Sequence, residues 1–153
     1  MAKSSFHYRA ADDSPGFLLF RLNYLWLKEL NAIFANLGIT QTQYAILASV
    51  LWFEEQGEPI SQSDLVSHTK IEKMTLSKAI RNLETKGFVS RTHSGHDSRA
   101  MTITFSKSGK RLTKNLIRSV EKADEAFFSV LTVHDLKAYK SVTLKMIRLN
   151  IRE

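Results

Sequence analysis

Between residues 17 and 35 apolar side chains recur at positions 18, 22, 25, 26, 30, 33 and 34, the spacing of one helical face. Leu19, Phe20 and Leu27 widen that stripe beyond half the circumference, so this helix is expected to carry a second partner surface besides a core face. Ser14 and Pro15 supply an N-cap and a first helical residue, and Asn36-Leu37-Gly38 a stop. Thr40 and Gln43 have capping-box spacing ahead of a short buried helix over 44–53. A turn at 54–59 leads to a second box, Ser61 and Asp64, which opens a brief helix to about residue 68. After a break near Thr69-Lys70, a further helix is predicted from about 72 to 86, stopped at Gly87.

The period then changes. Residues 88–91 and 100–105 are rich in β-branched and aromatic side chains with partial alternation, and the loop 94–97 has turn chemistry, so a β-hairpin is predicted. Ser106 caps a long helix to about residue 131, and Thr132 with Asp135 opens a last one. The expected fold is mainly α with a small β-hairpin wing. Two helices joined by a tight turn and followed by a hairpin form the layout of a winged helix-turn-helix. Its second helix fits a major groove, and its hairpin loop reaches an adjacent groove. Within 72–86, Leu76, Ala79, Ile80 and Leu83 make one packed face. The other face shows Lys73, Thr75, Ser77, Lys78, Arg81 and Asn82, donors suited to phosphates and base edges. Glu72 is the acid expected at the positive end of the helix dipole.

Charge sharpens this picture. The 153 residues, 43% hydrophobic and 24% charged, suffice for one globular domain with its own core. The net charge of +7 is unevenly placed: residues 67–118 hold 12 Lys/Arg against 3 Asp/Glu, a balance of +9, and the remainder holds 10 against 12, a balance of −2. A localised basic third is the footprint of a polyanion binder, with a lysine-rich solvated surface as the plain alternative. The absence of cysteine excludes disulfides, thiolate zinc sites, iron–sulfur clusters and thiol redox sensing. Residues 1–14 read as an arm rather than a secretory signal, since they carry acids and no long apolar core. The most apolar run, 17–27, is broken by Arg21 and Asn23 and is too short to span a bilayer. A cytoplasmic protein without a membrane partner is the expectation.

No phosphate-binding glycine loop, paired zinc motif or nucleophile elbow occurs, so neither an enzyme nor a cofactor is expected. His93 and His96 in the hairpin offer too few ligands for a metal. His68 and Asp64 have the spacing of a helix-surface pair, and Glu121, Asp124 and Glu125 that of a solvated acidic face.

From residue 38 to 112 the chain resembles the MarR-type (multiple antibiotic resistance) winged-helix regulators. The resemblance rests on Ile39-Thr-Gln-Thr-Gln-Tyr44, Thr75-Leu-Ser-Lys78, Leu83-Glu-x-Lys-Gly87-Phe-Val-x-Arg91, Asp97-Ser-Arg-Ala100 and Ser106-Lys-Ser-Gly109 as a linked set. Two departures stand out: Thr69-Lys70-Ile71 replaces a leucine-and-glycine turn, and Ser98 replaces a second basic residue in the wing. The resemblance extends over 15–150, because relatives share flanking helices that dimerise. It implies an arm at 1–14, a dimerisation region from 15–37 and 106–153, and a DNA-binding lobe at 38–105. It further implies a homodimer that regulates transcription, as a repressor, on palindromic double-stranded DNA. Lys73, Thr75, Ser77, Lys78 and Arg81 would then address the major groove and Arg99 the minor groove, with Asp97 holding the guanidinium extended. Relatives also imply a small aromatic or anionic effector in a crevice between the two regions. Tyr24, Trp26, Tyr44, Trp52 and Phe53 are the residues that would line it, and they suit plain core equally well. A basic face that docks an acidic protein, or sequence-blind architectural DNA binding, are the other readings.

Overall fold

The computed structural model describes residues 5–93 and 101–151. Asp97 and Arg99, with the wing tip they would occupy, lie outside the described residues. After a 3₁₀ turn at Ala11–Asp13, helix α1 runs Pro15–Ala35, with the Ser14 hydroxyl accepting from the Phe17 amide at 3.4 Å. α2 (Gln41–Glu55) and α3 (Gln62–Thr69) both open on the capping boxes expected of them. α4 spans Lys73–Thr85. Strands β1 (Val89–His93) and β2 (Met101–Phe105) pair antiparallel with Val89 opposite Phe105 and His93 opposite Met101. α5 (Lys107–Phe128) and α6 (Val133–Asn150) complete the chain. The fold class read from hydrophobic period is therefore borne out. α5 stops three residues short of expectation, where Ser129 turns its amide and hydroxyl onto the Ala126 carbonyl.

A continuous core joins α1 to α5 through the two strands. Leu30 and Phe34 of α1 meet Ile46, Leu47 and Val50 of α2, and these pack on Leu65, Leu76, Ile80 and Leu83 of α3 and α4. Val89, Ile103 and Leu116 close it from the strands and α5. One pairing is not visible in hydrophobic period: the Ile103 amide donates to the Ile60 carbonyl at 2.9 Å, and Ser61 bridges Thr102. The entry to α3 is thus stitched to β2, which fixes the wing against the helix pair.

Gly109 explains the Ser-x-x-Gly pattern at the start of α5. A Cβ there would lie 1.9 Å from the Phe88 carbonyl oxygen, so only glycine lets the helix approach the backbone that enters β1. The Ser106 hydroxyl accepts from the Gly109 amide at 3.0 Å and donates to the Gly87 carbonyl at 2.7 Å, binding α5 to the same corner. In contrast, no described residue of α6 is buried, and α1 leaves Phe17, Leu18, Leu19, Phe20, Tyr24 and Leu25 exposed.

Candidate nucleic-acid interface

α4 begins where Glu72 folds back over it. Both carboxylate oxygens accept backbone amides, from Met74 and Thr75 at 2.8 Å each, which makes Glu72 the N-cap as well as a dipole partner. The same two bonds, Met74 first and Thr75 second, hold the Glu72 carboxyl below its ordinary pKa. At the other end of α4, the Lys86 ammonium donates to the Gly38 carbonyl. Between them, Gln43 of α2 donates to Asn82 at 2.6 Å while its own carbonyl accepts the Thr40 amide at 3.0 Å. Asn82 therefore serves as a strut between α2 and α4, a role its place on the polar face did not reveal.

These ties hold open a groove of about 1000 Å³ between α4 and the start of α2. Met74, Thr75, Lys78, Arg81 and Thr85 line one wall, with Thr40 and Thr42 across from them. Of the major-groove residues expected from sequence, Thr75, Lys78 and Arg81 share this groove. Lys73 and Ser77, one turn apart, fall outside its lining. Met74, assigned to neither face in the sequence, is 66% exposed in the groove wall.

The wing is tied to the same helix. Arg91 of β1 makes a paired contact with Glu84, Nε to Oε1 at 3.1 Å and Nη2 to Oε2 at 2.6 Å, and its backbone amide adds a third bond at 3.1 Å. Both side chains are only 25% exposed, so the clamp is partly shielded from solvent. By contrast, the side chains of Lys73, Lys78 and Arg81 have no hydrogen bond or ion pair with any described residue. The structure commits Arg91 to the fold and leaves the α4 cations facing solvent.

The aromatic residues considered for an effector crevice do not converge. Tyr44 stacks on Phe34 at 5.1 Å inside the core, where burial first and Glu121 second raise the phenol pKa. Trp52 and Phe53 group with His68, whose ring lies nearly parallel to that of Trp52 at 5.8 Å. The expected His68–Asp64 pair is accordingly replaced: Asp64 accepts instead from the Ser61 amide at 2.9 Å and hydroxyl at 2.6 Å, because the capping box claims it. Trp26 alone of the five lines the cleft of about 670 Å³ between α1, α5 and α6, beside Phe127, Phe128, Tyr139 and Lys140. Asp124 and Glu125 also line it, and no metal-binding cluster occurs among the described residues. Nor is any described helix long and apolar enough to cross a membrane.

A helix pair, a pairing wing and an outward row of free cations define a winged helix-turn-helix DNA-binding protein. Residues 29–116 match the family model described as transcriptional regulator SarA/Rot, and the chain belongs to this family of MarR-type winged-helix regulators. Among curated relatives, the HTH-type regulator YdcH of Bacillus subtilis is 30% identical over 122 residues, covering 80% of this chain and 83% of its own. The HTH-type transcriptional repressor Rv2887 of Mycobacterium tuberculosis is 27% identical, covering 89% and 96%. Bordetella bronchiseptica BpsR, described by the regulation of its DNA binding by 6-hydroxynicotinic acid, superposes with a TM-score of 0.78 at 21% identity, covering 94% and 97%. The resemblance read from the linked motifs is thus borne out, and these relatives are regulators rather than enzymes.

Proposed function

We propose that the chain is a cytoplasmic homodimeric repressor that grips a palindromic operator with two copies of α4. The observation that carries this reading is the cationic face of α4, whose side chains are unpaired, held at a set angle by the Gln43–Asn82 and Glu84–Arg91 contacts. On this reading Lys73, Thr75, Ser77, Lys78 and Arg81 address phosphates and base edges of the major groove, and Met74 offers an apolar surface to thymine methyl groups. Arg99 enters the neighbouring minor groove with Asp97 steadying it. The exposed apolar faces of α1 and α6 supply the subunit contact, and two-fold symmetry sets the half-sites about one helical turn (~34 Å) apart. Repression is the activity named for Rv2887, and occlusion of a promoter is its simplest physical form.

The cleft beside Trp26, lined by Phe127, Phe128 and Tyr139 with Asp124, Glu125 and Lys140, has the size and aromatic lining for a small aromatic effector. The description of BpsR supports an effector of that class.

Selection of bound fragments from a random DNA pool tests the whole proposal. Enrichment of one palindrome, with Arg81→Ala losing about 1–3 kcal/mol on it, is the expected result. Equal recovery of all duplexes would favour architectural binding, and recovery of none would favour an acidic protein partner.

A further inference from the structure

Among the described residues, Lys70 is the one non-glycine residue with a left-handed backbone, φ 58° and ψ 16°, at the turn between α3 and α4. A Cβ is disfavoured there, and glycine would hold the same turn at lower cost. The turn has no need of the lysine side chain. The Thr69 hydroxyl donates to the Leu65 carbonyl at 2.6 Å and accepts the Ile71 amide at 3.3 Å. The Lys70 amide donates to the Val66 carbonyl at 2.9 Å, Ile71 packs against the core, and Glu72 caps the next helix. Meanwhile the Lys70 side chain is exposed, with no hydrogen bond or ion pair to a described residue. The chain carries strain at this point for a side chain the fold does not use.

Its position says where that side chain is used. The first helix of such a pair crosses the DNA backbone and the second enters the groove by its N-terminal residues, so the turn between them stands at the lip of the groove. Resting on the DNA-binding reading above, we propose that Lys70 is a phosphate anchor that sets the depth of α4, kept at the expense of fold stability. Its contact is sequence-blind, and stability and affinity pull this position toward opposite residues.

The test is Lys70→Gly, beside Lys70→Arg and Arg81→Ala, on the full chain with a short mixed-sequence duplex. Lys70→Gly is expected to raise Tm by about 2–4 °C while weakening DNA binding. The slope of log affinity against log salt should become shallower by about 0.9 per subunit, about 1.8 for a dimer. The affinity gap from the wild type then widens about tenfold between 200 and 50 mM salt. Lys70→Arg should keep the wild-type slope. An unchanged slope for Lys70→Gly, with Arg81→Ala shallower, overturns the anchor and leaves the DNA-binding reading intact. A fall in Tm for Lys70→Gly overturns the trade-off. A wild-type protein with no salt-dependent affinity sinks both.

Discussion

Glu72 receives two backbone donors on one carboxylate, and those donors favour its charged form over the protonated one. Because the folded pKa is depressed, the stabilisation is fully present above the unfolded value and is lost as pH falls through the folded one. Glu72→Gln should therefore melt below the wild type at neutral pH, and the difference should close as both are acidified through the carboxylate range. Thermal melts across that range check this; a difference that stays constant with pH would show the caps to be equivalent. An acid at this position was legible in the sequence as a dipole partner, but its direct capping was not. The distinction between the two depends on a side-chain torsion, which spacing does not carry. Lys70 was hidden for a related reason: the break at Thr69-Lys70 was visible, and the sign of φ within it was not. Met74 fell off the packed face in the sequence, but an apolar side chain was not counted among the donors of the polar face, so it was named on neither.

At the scale of elements, the boundaries that capping chemistry marks were readable, and the ties between elements were not. Ser14, Thr40, Ser61, Ser106 and Thr132 all cap the helices expected of them. Gln43–Asn82 and Lys86–Gly38 join residues 39 and 48 positions apart, and no local pattern announces such partners. Gly109 lies between these cases. Its spacing from Ser106 was legible as part of a family motif, and the 1.9 Å approach of an added Cβ to the Phe88 oxygen supplies the cause. Since the obstacle is backbone at the root of β1, it cannot swing aside. Gly109→Ala should cost stability toward the upper end of the ~1–3 kcal/mol seen for overpacking, readable by urea denaturation. The displaced wing should also weaken DNA binding more than the stability loss alone explains. A near-neutral alanine would mean that α5 can slide along the wing.

The molecule as a whole leaves one helix without a reason to exist alone. α6 spans 18 residues, yet none of those described is buried, and Val142, Met146 and Leu149 repeat at i, i+4 and i+7 on its exposed side. Helices in proteins draw most of their stability from packing one face, so α6, with no described residue buried, is expected to rest on a further surface. The exposed Leu18, Leu19 and Phe20 of α1 are apolar surface of the same kind, and a second copy offers both faces at once. Helicity should then be coupled to association. Dilution of the purified protein should lower its far-ultraviolet helical signal as α6 melts, together with a shift from dimer to monomer in sedimentation. Met146→Glu with Leu149→Glu should move both transitions to higher protein concentration and carry DNA affinity with them, because a lone lobe loses the second half-site. A monomer that keeps α6 helical at high dilution would leave these apolar stripes unexplained by self-association and would remove the basis for a palindromic operator.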